Sequence, residues 1–305
     1  MSCTAPETYY VRDPSHFNGV RGLTKDARKA LVHSTMTIPC GKCVDCRLAY
    51  ARDWSLRCMH ELQTSEFGGC FVTLTYNDEH LPADRSLHYE DFQLFMHRLR
   101  NAYDKVRFFM CGEYGDNFGR PHYHAILFNV VFDDLEFYRT EGKIALYKSQ
   151  ELSRLWGLGF VTVGAVTRHS ASYVARYSLK KVTGAASGDA YQFVVPETGE
   201  VVDRTPPFSK QSLKPGIGFD WFVRFMSDVF PVDNVVLDGK QYPVPRYYRK
   251  VFERFKPAEF EAMRREHRAY AREARLHPDN SPRRLRDRWE WSVLNSANVK
   301  RNKDL

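Results

Sequence analysis

The pattern of apolar and polar positions predicts helices and strands that alternate between residues 44 and 182. Apolar residues recur at helical spacing in some segments, and β-branched and aromatic residues cluster in others. The predicted helices are Val44–Glu66, Tyr89–Ala102, Lys148–Trp156 and Ser170–Val182, and the predicted strands are Cys70–Tyr76, Val106–Glu113, His122–Val130 and Phe160–Val166. Gly115–Arg120 suits a hairpin turn, which excludes a purely parallel sheet and predicts an α+β fold.

The segments on either side have weaker patterns. Residues 1–39 show no strong periodicity, so we expect an irregular lead-in, and the flexible run Gly184–Gly188 is the best candidate boundary. Beyond it we predict a hairpin that turns at Asp238-Gly239 and an Arg-rich helix over Pro257–Leu276. The predicted organisation is a lead-in (1–39), a domain (40–183) and a basic, partly helical C-terminal extension (184–305).

Composition is that of an ordinary globular protein. Hydrophobic residues make up 43% and charged residues 27% of the chain. No apolar run approaches the roughly 18 residues of a membrane span, and the first residues lack the features of a signal peptide. We therefore expect a cytoplasmic protein with no membrane partner.

Positive charge is concentrated at the C-terminal end. From Arg246 onward there are 17 Lys and Arg residues against 9 Asp and Glu residues, and the difference of +8 equals the net charge of the whole chain. Such asymmetry suits contact with a polyanion. In the Arg-rich helix, however, glutamates alternate with arginines, which equally suits a helix that pairs its own charges in solvent. The arginines are Arg264, Arg265, Arg268, Arg272 and Arg275.

Three of the seven cysteines, Cys40, Cys43 and Cys46, crowd into one short segment. Without a secretion signal, this spacing favours thiols or a metal over disulfides. A tetrahedral zinc site needs four ligands, and the fourth is not evident from the sequence, although Cys58 and His33 are candidates. Zinc and simple reduced thiols both remain open at this stage.

His122 and His124 lie two residues apart on a predicted strand and therefore point to the same face. With 11 histidines in the chain, such a pair is an ordinary chance occurrence. Glu113 changes this interpretation, because the predicted hairpin can bring it beside His122. Two imidazoles and one carboxylate with open positions suit a divalent metal, and Asp116 in the turn is an alternative carboxylate.

Tyr173 and Tyr177 are four residues apart on a predicted helix, so both hydroxyls can address one site. An aromatic stripe in the core is the ordinary alternative in a chain with 17 tyrosines. Arg176, Lys180 and Lys181 surround the pair with positive charge, which favours the phenolate and holds phosphate oxygens. With the metal candidates, these residues supply a hydroxyl nucleophile and a cation for phosphodiester transfer without water.

Three motifs in this order resemble the HUH rolling-circle replication initiators. They are Phe71–Thr75, then Gly112–Gly115 leading to Gly119–His124, and then Tyr173–Lys181. Within that superfamily the chain is most similar to the replication initiation proteins of small single-stranded DNA phages of the gokushovirus type, which share the Cys40, Cys43 and Cys46 cluster. The resemblance covers roughly residues 40–182.

The resemblance implies a fold and a set of site residues. The fold is an antiparallel sheet with helices packed on one side, as in RNA-recognition-motif domains. The implied metal ligands are His122, His124 and Glu113, and the ion is Mg²⁺ or Mn²⁺, of which imidazoles favour Mn²⁺. The implied nucleophiles are Tyr173 and Tyr177, and we expect Arg120, Arg176, Lys180 and Lys181 to position phosphates.

The implied activity is nicking and rejoining of single-stranded or supercoiled origin DNA in the host cytoplasm. A tyrosine would form a 5′-phosphotyrosine and leave a 3′-hydroxyl that primes the host DNA polymerase. Because the chain has no phosphate-binding Gly-rich loop, unwinding would need a separate helicase. Two alternatives stay open: a metal-dependent nuclease that uses water, and a zinc-linked DNA-binding protein without catalysis.

Overall fold

The computed structural model describes residues 3, 5–115, 119–142, 144–177, 191–195, 199–230 and 232–301. Two compact units are distinguished, one formed by residues 1–50 with 256–305 and the other by residues 51–255. Among the described helices, none is both long and apolar enough to span a lipid bilayer.

Helices and strands alternate along the chain. The helices are α1 Val44–Thr64, α2 Tyr89–Ala102, α3 Gln150–Trp156, α4 Arg168–Tyr177, α5 Phe219–Arg224, α6 Met226–Val229, α7 Arg246–Phe255, α8 Pro257–Leu276 and α9 Pro282–Arg301. The strands are β1 Glu7–Arg12, β2 Leu23–Thr24, β3 Ala30–Ile38, β4 Gly69–Tyr76, β5 Arg107–Tyr114, β6 Pro121–Phe128, β7 Glu136–Glu141, β8 Ile144–Lys148, β9 Gly159–Ala165, β10 Gln192–Val194, β11 Val201–Asp203, β12 Phe208–Gln211, β13 Asn234–Leu237 and β14 Lys240–Pro243.

A seven-stranded antiparallel sheet forms the centre of the 51–255 unit. Its strand order is β12-β5-β6-β4-β9-β8-β7, and each neighbouring pair is antiparallel. The predicted α+β class is therefore confirmed. The second and third predicted strands form the expected hairpin, in which Glu113 lies opposite His122.

One face of this sheet carries the apolar core. Val72, Leu74 and Tyr76 alternate along β4 and are almost completely buried, as expected for strand positions two apart. The helices α2 and α3 cover this face with large side chains, which are Phe92, Phe95, Met96, Leu99, Leu152, Leu155 and Trp156. Burial of each such side chain contributes about 1.5–3 kcal/mol, which holds both helices on the sheet.

The opposite face of the sheet carries the polar side chains of the predicted site. It is covered by α1, whose Trp54 stacks on Phe109 of β5 at a centroid distance of 4.2 Å, and by α4, which packs against β5 and β6. Helices therefore lie on both faces, in addition to the layer of α2 and α3 that the resemblance implies.

Several boundaries agree with the sequence predictions. Both α2 and α8 have the predicted bounds, and β13 and β14 turn at Asp238-Gly239, where both residues have positive φ, as a two-residue hairpin requires. The helix α4 begins at Arg168, two residues before the predicted start, and residues 178–190 lie outside the described part.

The predicted irregular lead-in was wrong. Residues 7–38 instead contribute an antiparallel sheet of order β2-β1-β3. None of the described residues from 5 to 50 is buried, so these strands have no buried face and no alternation of apolar and polar residues marks them. The hairpin of β7 and β8 went unpredicted for the same reason, because all six residues of β7 are exposed.

The boundary proposed near Gly184 stays a prediction, since Gly184–Gly188 lies outside the described residues. One strand from beyond that position, β12, pairs with β5 and forms an edge of the central sheet. The sheet that carries the predicted site residues is thus completed by a later segment of the chain.

Candidate metal centre

The hairpin of β5 and β6 brings the three predicted metal ligands together. Glu113 lies directly opposite His122, and His124 lies two residues further along β6, so all three side chains share one face. Oε1 of Glu113 lies 3.2 Å from Nε2 of His122 and 2.9 Å from Nε2 of His124. All three ligand atoms lie within 4.8 Å of one another.

The orientation of His122 is set by the main chain. Its Nδ1 lies 3.1 Å from the carbonyl oxygen of Arg120. Because a carbonyl oxygen only accepts hydrogen bonds, Nδ1 must carry the proton in this contact. In the neutral ring the lone pair is then on Nε2, which is the atom that faces Glu113.

The orientation of His124 is set by its neighbours on β4 and α4. Its Nδ1 lies 2.9 Å from Oγ1 of Thr73, which is its partner in the strand register. Phe71 stacks on the imidazole at a centroid distance of 5.7 Å, and Tyr173 meets it edge-on at 5.1 Å. These contacts direct Nε2 of His124 toward Glu113, as outer-sphere partners do at metal sites.

The charge of this cluster favours a cation. Glu113 and His124 are only 4% and 8% exposed. Burial by itself raises the pKa of the Glu113 carboxyl, but the imidazoles of His122 and His124 outweigh burial and bring that pKa below its usual value. Burial lowers the pKa of His124, against the opposing effect of Glu113. A buried carboxylate that faces imidazole lone pairs is a fitting donor set for a divalent metal.

Tyr173 lies at this cluster. Its hydroxyl is 3.5 Å from Oε1 of Glu113, and its ring also contacts Phe71 edge-on at a centroid distance of 6.4 Å. Ala171, Val174 and Ala175 are fully buried, so the apolar face of α4 holds Tyr173 over the sheet.

The other residues predicted beside Tyr173 are only partly described. The side chain of Tyr177 and the whole of Lys180 and Lys181 lie outside the described residues, as does Asp116. Arg176 is exposed in the last turn of α4. Their predicted roles stay predictions.

The Arg120 guanidinium is held at the end of β4. It donates to the carbonyl oxygen of Tyr76 at 2.9 Å and forms an ion pair with Asp78. Arg120 therefore contacts the cluster through its main-chain carbonyl, and a phosphate contact by its side chain stays a prediction.

The three clustered cysteines are joined by a fourth that the sequence did not reveal. The sulfur atoms of Cys3, Cys40, Cys43 and Cys46 all lie within 4.8 Å of one another, and neither Cys58 nor His33 belongs to this group. Cys3 precedes Cys40 by 37 residues, so no short motif connects them.

The basic helix α8 forms ion pairs along its own surface. Glu261 lies 3.2 Å from Arg264 and 3.7 Å from Arg268, and Lys256 lies 3.0 Å from Glu259. These partners are exposed, and such surface pairs contribute little to stability. The pairs agree with a helix that neutralises part of its own charge.

Comparison with known proteins connects these features to one group. Residues 69–182 match a family model of replication-associated proteins of the ORF2 type. The chain is 35% identical over 253 residues to the replication-associated protein VP4 of Bdellovibrio phage phiMH2K, covering 79% of this chain and 76% of that protein. It is 33% identical over 232 residues to the replication-associated protein ORF2 of Spiroplasma virus 4, covering 72% and 68%. It is 31% identical over 225 residues to the replication-associated protein ORF4 of Chlamydia phage 1, covering 70% and 52%. No solved structure matches this chain.

Proposed function

Because the chain belongs to the family of microvirus-type replication-associated proteins of phages, we propose that it initiates replication by nicking origin DNA with a tyrosine. The observation that carries this proposal is the position of Tyr173, whose hydroxyl lies 3.5 Å from Oε1 of Glu113. A hydroxyl nucleophile and three metal-ligand candidates thus address one point on the sheet. Neither group of residues alone would support the same reaction.

The surroundings of Tyr173 suit deprotonation of its hydroxyl. A free tyrosine has a pKa of about 10 and is a poor nucleophile near neutral pH. Oε1 of Glu113 is within reach to accept the hydroxyl proton, and edge contacts with Phe71 and His124 restrict the tyrosine ring. The phenolic oxygen is therefore held where it can meet a phosphate bound over the cluster.

Glu113, His122 and His124 would hold a divalent ion. When bound there, Mg²⁺ or Mn²⁺ supplies polarisation of the scissile phosphate and offsets the negative charge that develops during attack. Two imidazole donors favour Mn²⁺ over Mg²⁺, which prefers oxygen ligands.

The proposed reaction exchanges one phosphodiester bond for another. The Tyr173 oxygen bonds to phosphorus while the bond from phosphorus to the 3′ oxygen breaks, and the departing 3′ oxygen takes up a proton. The downstream strand stays on the tyrosine through its 5′-phosphate, and the free 3′-hydroxyl is available to a host polymerase. Rejoining is the reverse reaction and needs no nucleotide cofactor, because the phosphotyrosine retains the bond energy.

Tyr177 is the proposed second nucleophile. It lies four residues after Tyr173 at the end of α4, and such a spacing places two side chains on one side of a helix. Arg176, Lys180 and Lys181 follow as proposed phosphate contacts. Two nucleophiles would let one tyrosine cleave a regenerated origin while the other returns its strand.

The test uses end-labelled single-stranded oligonucleotides that tile the DNA surrounding the gene for this chain, incubated with Mn²⁺. With a 3′ label, the proposal predicts a labelled protein–DNA adduct on a denaturing gel, because the downstream strand remains on the tyrosine. With a 5′ label, it predicts a shortened free strand that a polymerase can extend. Peptide mass mapping should locate the adduct on Tyr173 or Tyr177.

Three variants separate the mechanisms. Tyr173→Phe and Tyr177→Phe are compared singly and together, with Tyr138→Phe on the exposed strand β7 as the matched control. An adduct that survives in the double variant would contradict a tyrosine nucleophile at this site. Cleavage without any adduct in the unaltered chain would instead support attack by water.

A further inference from the structure

The second cluster of metal-ligating side chains lies in the unit that contains residues 1–50. Cys3 lies beside the cysteines of the segment 40–46, although it is far from them in sequence. All seven cysteines of the chain are free thiols. The four neighbouring sulfurs therefore do not pair as disulfides.

The spacing of the sulfur atoms matches a tetrahedron around a metal. A Zn–S distance of about 2.3 Å gives a regular tetrahedron with S···S edges of about 3.8 Å. Sγ of Cys3 lies 3.7 Å from Sγ of Cys40 and 3.9 Å from Sγ of Cys43. The whole group falls within 4.8 Å, so one small ion would reach all four.

The backbone around Cys40 is arranged to stabilise negative sulfur. The N–H groups of Lys42 and Cys43 both point to Sγ of Cys40, at 3.4 and 3.3 Å. The N–H of Cys40 points to Sγ of Cys3 at 3.3 Å. Gly41 has a φ of +73°, a conformation that glycine adopts readily and that folds the chain back over Cys40. Backbone donors of this kind favour thiolates.

Four thiolates in this space need a compensating charge. Cys3 is only 3% exposed, and burial raises the pKa of the Cys3 and Cys46 thiols. Cys46 lies in the first turn of α1, where the helix dipole favours a negative group. A divalent cation would satisfy both the burial and the charge.

The N-terminal segment also lacks another source of stability. Apart from Cys3, none of its described residues up to residue 50 is buried. Small domains without a sufficient apolar core are ordinarily stabilised by a disulfide or a metal. A metal that joins Cys3 to the segment after β3 would close the three-stranded sheet at its base.

We propose that Cys3, Cys40, Cys43 and Cys46 bind one structural zinc ion that folds the N-terminal segment. Four sulfur ligands leave no open position, so this site is structural and not catalytic. Zinc is the metal that tetrahedral sulfur sites most commonly hold, with iron as the main rival. The site is independent of the nicking proposal.

The first experiment counts metal in the full-length chain. His122→Ala and His124→Ala are introduced together, so that the candidate metal centre on β6 does not contribute. Elemental analysis should then find one zinc per chain. Replacement of zinc by Co²⁺ should produce the intense visible absorption of tetrahedral cobalt with four thiolates.

Matched cysteine and histidine variants test the ligand set. Cys3→Ser should lower the zinc content well below one per chain and change the cobalt spectrum. Cys58→Ala and His33→Ala should leave both unchanged, since neither residue belongs to the cluster. A zinc content and a cobalt spectrum that Cys3→Ser leaves unaltered would exclude Cys3 as a ligand.

A second measurement uses the unaltered chain and does not depend on variants that fold. Alkylation of thiols followed by peptide mass mapping should show Cys3, Cys40, Cys43 and Cys46 protected together, and exposed together after a strong chelator is added. Protection that the chelator does not change, a disulfide within the group, or iron in place of zinc would each overturn the proposal.

Discussion

Oγ1 of Thr73 lies 2.9 Å from Nδ1 of His124, across the pairing of β4 with β6. Thr75, two residues along the same strand, lies opposite His122 but makes no side-chain hydrogen bond to a described residue. The two threonines share one face of the sheet, yet only Thr73 holds a metal-ligand candidate. Thr73 is thus a positioning residue for His124.

Thr73→Val should weaken the response to metal while the fold is retained. Valine has nearly the same shape and the same preference for strands, so the change removes only the hydroxyl. Loss of such an outer partner lowers metal affinity by about 10–100-fold. We expect the Mn²⁺ concentration for half-maximal nicking to rise accordingly, with a smaller change in the rate at saturating Mn²⁺.

Thr75→Val is the matched control for that measurement and should leave the Mn²⁺ dependence nearly unchanged. Equal shifts in the two variants would mean that the Thr73 hydroxyl has no special part in orienting His124.

Glu113→Gln should abolish most of the nicking activity without unfolding the protein. Glutamine keeps the size of the side chain but removes the negative charge that faces both imidazoles. Because a carboxylate is a much stronger ligand than an amide for a divalent ion, we expect a rate loss of about 100-fold or more. The measurement is the single-turnover rate of adduct formation, with circular dichroism to verify the fold.

Glu136→Gln, at an exposed position where β7 begins, is the matched control and should retain the full rate. If Glu113→Gln also nicks at the normal rate, the carboxylate is neither a metal ligand nor a proton acceptor in the reaction.

The stability of the 51–255 unit should fall as the pH falls below 6.5, because of His60. This histidine is 1% exposed, stacks on Trp221 and lies 2.9 Å from the Tyr248 hydroxyl through Nδ1. Burial lowers its pKa from 6.5 to about 3. The unfolded chain therefore binds a proton near pH 6.5 that the folded chain refuses until about pH 3, so folding stability is complete above pH 6.5 and is lost on acidification.

This effect should amount to about 2 kcal/mol between pH 7 and pH 5. It is measured by urea unfolding of the unaltered chain and of His60→Asn at both pH values. The variant is expected to be less stable at pH 7 but to lose about 2 kcal/mol less on acidification. His16→Asn, at an exposed position, should keep the full pH dependence. An identical pH dependence in His60→Asn would refute the assignment.

Gly159→Ala should destabilise the central sheet strongly. A Cβ at Gly159 would overlap the backbone atoms Asn77 N and Thr75 O, which are rigidly held where β4 pairs with β9. We expect a loss of about 3 kcal/mol or more in the free energy of unfolding, since a backbone shift must accommodate the methyl group.

Gly157→Ala provides the comparison. Gly157 ends α3 with a φ of +70°, and an added Cβ would meet no atom closer than 3.6 Å. Only the left-handed conformation then opposes alanine, and the expected loss is about 1 kcal/mol. Equal losses in the two variants, measured by urea unfolding, would show that backbone overlap is not the cause at Gly159.

The parts of the site that were predictable from the sequence are local ones. Glu113 and His122 are nine residues apart, and a hairpin brings such neighbours opposite each other whatever surrounds them. The helix α2 was predicted with its observed bounds, because its apolar residues recur at the helical period on one buried face.

The parts that were not predictable depend on pairing between distant segments. Thr73 and His124 are 51 residues apart, and Cys3 and Cys40 are 37 apart. Neither periodicity nor a short motif reports which distant strands become neighbours. The strand β12 was also missed, because only four residues pair with β5 and they carry no alternating pattern.

His122 is held by a carbonyl group of the main chain and not by a side chain. Every amino acid at position 120 supplies the same carbonyl, so sequence drift there should leave the imidazole in place. The side chain at position 120 is therefore free to diverge, exchanging its present contacts with Tyr76 and Asp78 for others. Related phages can thus vary this end of β4 without altering the chemistry beside it.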